Sequence, residues 1–62
     1  MDAVKILNQK KRILVNQIVG EMQKEENALT SVLTYVQEHY GHLDYWADLA
    51  WDAEVKLEKL SL

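Results

Sequence analysis

From Val4 to Tyr40 the apolar residues recur at helical spacing: Val4, Leu7, Leu14, Val15, Ile18, Met22, Leu29, Val32, Leu33, Val36 and Tyr40. At about 100° per residue they project within roughly 50–60° of one direction, with Lys11 and Glu25 as intruders. Because the stripe keeps its phase, the preferred expectation is one long helix over residues 3–40, about 57 Å if unbroken. The alternative is a break within 25–28, where Glu25-Glu26-Asn27 is polar and Asn27 can cap a second helix. The strongest punctuation is His39-Tyr40-Gly41-His42, with Gly41 placed as a residue just past a helix end and Asp44 as the next N-cap. Beyond it, Leu43, Trp46, Ala50, Ala53, Leu57 and Leu60 alternate in steps of three and four, the seam of a helix over 43–60 that Ala47 and Leu49 widen.

The pattern therefore predicts an all-α chain, a single domain over 1–62 folded as a helical hairpin with unequal arms. The shorter arm reaches back only to about residue 23. That leaves Val4, Leu7, Leu14, Ile18 and Met22 uncovered, at roughly 1.5–3 kcal/mol of unrealised burial each. A second copy packed antiparallel through the N-terminal arms supplies the cover, giving a homo-oligomeric helical bundle in which Leu14→Asp and Ile18→Asp dissociate the assembly. A break near Asn27 would instead allow a compact three-helix monomer. Ile6, Ile13 and Gly20, seven residues apart, form a partial second seam off the main stripe. Gly20 weakens a helix interior by about 1 kcal/mol relative to alanine. Close approach of another backbone is one reason for it; simple tolerance on an exposed face is the other.

Composition narrows the chemistry. The 62 residues include no cysteine, no proline and two glycines, which excludes a disulfide framework, a thiolate metal site and a cysteine nucleophile. A chain this short buries only about 60% of its unfolded surface, so association is a natural source of stability. No bilayer-spanning run and no export signal are read, since Asp2, Lys5 and Lys10-Lys11-Arg12 interrupt the first apolar residues. With the absence of cysteine, this leads to an expected cytoplasmic location. No cofactor is expected. His39 and His42 straddle a helix end with no diagnostic ligand spacing, and Ser31 and Ser61 have no neighbouring base, so a non-enzymatic role is expected.

Charge is uneven. Residues 1–15 carry Lys5, Lys10, Lys11 and Arg12 against Asp2, a net of +3, and the remainder is −6. A nucleic-acid-binding regulator would use Lys10, Lys11 and Arg12, presented twice by a dimer, and would give a salt-steep gel shift. Against it, the last helix carries Asp44, Asp48, Asp52, Glu54 and Glu58, which phosphates repel. A membrane-surface role is disfavoured by the negative net charge. The preferred function is a protein-interaction module, an adaptor, inhibitor or regulator. Asp44, Asp48 and Asp52 form one ridge, with Trp51 and Val55 beside it and away from the Leu43–Leu60 seam. An aromatic anchor bordered by acids suits a basic protein partner, and the competing assignment for Trp51 is ordinary core. Tyr35, Tyr40 and Tyr45 gather near the turn and are expected to close the hairpin end.

Overall fold

The computed structural model describes residues 2–61 and the side chains of 2–60. It is all-helical: α1 spans Ala3–Met22, α2 Ala28–Tyr40 and α3 Trp46–Ser61. The expectation of one unbroken helix over 3–40 is corrected, because the chain reverses at 23–27. Every residue of that segment is exposed, which suits its polar run Gln23-Lys24-Glu25-Glu26-Asn27. Tight turns link Lys24 N–H to Glu21 O at 3.3 Å and Glu25 N–H to Met22 O at 3.0 Å. Asn27 holds the N-cap position of α2, but through its backbone: its carbonyl accepts from Ser31 N–H and from the Thr30 hydroxyl, both at 3.0 Å. Phase continuity did not guarantee a continuous helix. A straight rod would leave Met22, Val32 and Val36 half in water, whereas the reversal buries all three to within 2%.

At the front, Asp2 caps α1 with its side chain accepting Val4 N–H at 3.0 Å. At the second break the structure departs from expectation twice. Gly41 is the C-cap of α2 with φ −63° and ψ −16°, ordinary right-handed backbone, so no left-handed residue ends the helix. Glycine is required there for closeness instead, since a Cβ would lie 2.3 Å from the Gln37 carbonyl oxygen. Asp44 is not the N-cap of the last helix, which begins at Trp46 with Tyr45 O accepting Leu49 N–H. Gly41→Ala is expected to destabilise the fold by about 1–3 kcal/mol through overpacking against that carbonyl, read as a lowered Tm. An unchanged Tm would show that the α2 end relaxes at no cost.

The helices run up, down and up. The pairs Lys11–Asp48 and Asn16–Lys56 advance together along α1 and α3, so these two are parallel. α3 packs most extensively on α2, next on α1, while α1 and α2 touch least. The core comprises Val15, Ile18, Val19 and Met22 of α1, Val32 and Val36 of α2, and Leu49, Ala50, Ala53 and Leu57 of α3. Ala50 and Ala53 keep α3 small where it wedges between its neighbours. Tyr35, Tyr40, Leu43, Tyr45 and Trp46 pack around the margin.

α1 is the longest helix, and because Lys11 already faces the start of α3, residues 3–10 overhang the bundle by about 12 Å. The overhang explains the molecule's 40 × 24 × 14 Å shape. It also divides the proposed self-association set. Ile18 and Met22 lie in the chain's own core and are not available to a second copy, Leu14 is half-buried, and Val4 and Leu7 remain exposed at 64% and 37%.

Candidate functional site

The outer face of α3 carries the candidate site. Leu49, Ala50, Ala53 and Leu57 fix the inward direction, and Asp48, Trp51 and Val55 project about 145–175° away from it. Trp51 is 68% exposed, the most exposed of the large apolar side chains described, and Val55 one turn on is half-buried. Trp46, by contrast, is half-buried against the core. Within its own chain, then, Trp51 is surface and does not pack on the long arm. Asp44, Asp48 and Asp52 are all exposed beside it, with Glu54 and Glu58 on the other flank. Asp44 precedes the helix and lies at the edge of this face.

The acidic ridge is partly tied to α1. Asp48 Oδ2 accepts from Lys11 Nζ at 3.4 Å, and the same ammonium sits 5.4 Å from the centre of the Tyr45 ring. Lys56 donates to Asn16 Oδ1 across the same seam. Asp48 keeps 69% of its side chain in water, so the ion pair adds little stability and leaves most of the carboxylate open.

The basic triplet is divided. Lys11 turns inward, with its side chain 22% exposed, while Lys10 and Arg12 lie exposed about 160° apart around α1. The structure therefore does not gather Lys10, Lys11 and Arg12 into one face. His39 and His42 do not converge either: both are exposed, and the His39 ring sits 4.3 Å from the Tyr35 ring. Among the described residues no group of three or more His, Asp or Glu is placed to hold a metal ion. Among them too, no helix is long and apolar enough to cross a membrane.

A second surface was only half legible in the sequence. Tyr35 and Tyr40 of α2, with Gln17, Gly20, Glu21 and Lys24, line a groove of about 540 Å³ on the α1–α2 flank. Burial, and then the neighbouring Tyr40 and Glu21, push the Tyr35 phenol above the ordinary tyrosine range. Leu29 and Leu60 line another groove, where the start of α2 meets the end of α3. Both lay on expected seams, yet they are 40% and 55% exposed at this end of the bundle, where the 23–27 turn lines the same groove. In comparisons with known proteins, no family model, no curated protein and no solved structure matches this chain.

Proposed function

We propose that this chain is a non-enzymatic protein-interaction module, acting as an adaptor, inhibitor or regulator that self-associates through its first helix and binds a basic protein partner on α3. The single observation that carries the partner site is Trp51, 68% exposed on a face rimmed by Asp44, Asp48, Asp52 and Glu58. A tryptophan buries roughly 150–250 Å² when covered. With 68% of the residue still in water, about 25 cal/mol per Å² leaves roughly 2.5–4 kcal/mol of transfer free energy available only to a bound state. The acids around it repel other acidic surfaces and steer lysine- and arginine-rich ones, so they set which partner is chosen. The matching partner surface is an apolar pocket or groove with a basic rim. Support for self-association comes from the overhang, where Val4, Ile6 and Leu7 are exposed, and from Ile13 at 57%. We place its action in the cytoplasm, whose reducing environment suits a chain without cysteine.

The test is affinity capture from native lysate with wild-type chain, Trp51→Ala and Asp48→Lys/Asp52→Lys, each checked for native helicity. The expected result is a protein retained by wild type, lost with Trp51→Ala and released by salt. In a chain carrying Trp46→Phe, Trp51 is the single tryptophan, and its emission should shift to the blue when the purified partner is added. Equal capture by all three chains would refute the α3 assignment.

A further inference from the structure

We infer that the turn at 23–27 is a hinge through which two copies of this chain exchange α1. The turn opens into continuous helix, and α1 of each copy takes the place of the other's against α2 and α3. This rests on the proposed self-association and names its mode. The seam of the first helix does not stop at the turn. Lys11, Val15, Ile18, Met22, Glu25, Leu29, Val32 and Val36 alternate in steps of four and three, as along a coiled coil, with no slip where the chain reverses. In a continuous helix Ile18, Met22, Val32 and Val36 point within about 40° of one direction. All four are buried, two on each side of the turn. A turn that only reverses the chain places no demand on that register, whereas a helix running through it does.

The turn is also lightly held. It contains no glycine or proline, and Gln23, Lys24, Glu25 and Glu26 are good helix formers. Gln23 is still in right-handed helical backbone, with φ −62° and ψ −19°, and no described residue has a positive φ. Asn27, at φ −109° and ψ 48°, leaves that region, and its side chain makes no capping hydrogen bond. Every residue of the turn is exposed, so straightening it uncovers no apolar side chain of its own. The two helices it joins, α1 and α2, touch least of the three pairs.

What α1 leaves behind fixes the occupant. Opening exposes Val15, Ile18, Val19 and Met22 on α1, together with the faces of α2 and α3 that held them. α1 of a second copy fits those faces because it makes the same contacts there. The directions agree too. α1 and α2 are antiparallel in the bundle, and a two-fold axis near Asn27 sets the two continuous helices antiparallel, with α1 of one beside α2 of the other. Ile18 and Met22, unavailable to a second copy while the turn is closed, become the centre of the interface. The turn end of each bundle then faces its mate, at the end where Leu29 and Leu60 are 40% and 55% exposed. Glu25 is the one acid in the seam, and bringing two copies of it to the crossing restrains the exchange.

Refolding the full chain over a range of concentrations, followed by gel filtration, tests this. A species of twice the 7.2 kDa mass is expected to grow with concentration and to revert slowly on dilution, because α1 must leave a core to return. Zero-length carbodiimide coupling reads the exchange directly, since Lys11 and Asp48 are paired at 3.4 Å. When isotopically light and heavy chains are refolded together, the Lys11–Asp48 link should lie within one chain in the monomer and join light to heavy in the dimer. Glu25→Leu completes the apolar seam across the turn and should tighten the dimer about tenfold or more. Ala28→Pro should weaken it by about 100-fold or more and leave the monomer folded, since the first position of α2 accepts proline and a helix interior does not. A dimer whose Lys11–Asp48 link stays within each chain, or one indifferent to Ala28→Pro, would overturn the exchange but not self-association. A chain that stays monomeric at every concentration, even with Glu25→Leu, would overturn both.

Discussion

Ile18→Asp is expected to abolish the folded state, leaving a chain without cooperative melting at any concentration. Ile18 is 0% exposed, and every polar side-chain atom buried among the described residues is already satisfied, so no partner waits for an introduced carboxylate. A carboxyl group forced into such a site either ionises at several kcal/mol or stays protonated with its hydrogen bonds unmet. At roughly 0.05–0.15 kcal/mol per residue, a domain of this size has only about 3–9 kcal/mol to lose. Loss of the helical circular-dichroism signal at low ionic strength, in the absence of denaturant, is the measurement. Leu14→Asp provides the contrast, because Leu14 is half-buried at the margin and its carboxylate can turn to water. The sequence pattern treats these two substitutions alike, as breakers of an oligomer. The fold separates them, and a well-folded Ile18→Asp chain would mean that α1 packs differently from the structure described.

Leu49→Ala carries the second large effect, expected at about 2–5 kcal/mol. Leu49 is fully buried on α3, the helix that packs on both others, so the vacated volume is bounded by side chains from more than one element. Such a site cannot collapse around the gap without moving a whole helix. For a domain of this size each kcal/mol lowers the Tm by roughly 4–8 °C, so a fall of well over 10 °C is anticipated in thermal melts. Leu33→Ala removes the same atoms from a residue that is 54% exposed, and its cost should stay within about 0.5 kcal/mol. Equal losses from the two substitutions would show that α2 is covered on its outer side by a second molecule.

The pair is instructive because the sequence ranks them the other way. Leu33 lies on the main apolar stripe from Val4 to Tyr40, while Leu49 only widens the later seam. Periodicity reports which direction a side chain takes from its own axis, and that is set locally by about 100° per residue. It does not report whether anything lies in that direction. Val4 points the same way as Met22, yet one is 64% exposed and the other 2%, because α3 starts opposite Lys11 and leaves the first turns of α1 overhanging. Val19 errs in the opposite sense: it is off the stripe but buried, since the second half of α1 meets both other helices and needs a wider apolar face.

The candidate site shows the same division. That Trp51, Asp48 and Val55 share one side of α3, apart from its seam, follows from spacing alone. That this side faces water rather than a neighbouring helix depends on where α1 and α2 lie. The basic triplet goes the other way: Lys10-Lys11-Arg12 is contiguous in sequence, but a helix spreads neighbours around its axis, and Asp48 and Tyr45 draw Lys11 inward.

By itself, then, the sequence determined helical structure, the break near Gly41, the sidedness of each helix and the absence of cysteine chemistry, and it offered a break near Asn27 only as the alternative to a continuous helix. These are local or compositional properties, fixed by side-chain periodicity and residue type. The tertiary structure decided that the stripe folds back on itself rather than extending, which of its members are core, and that Trp51 stands exposed. It also showed that Gly20 is required by nothing within its own chain, since a Cβ built there meets nothing within 4 Å. Each of those depends on burial against residues distant in sequence, where a few kcal/mol of apolar contact outweighs the continuity of a helical phase.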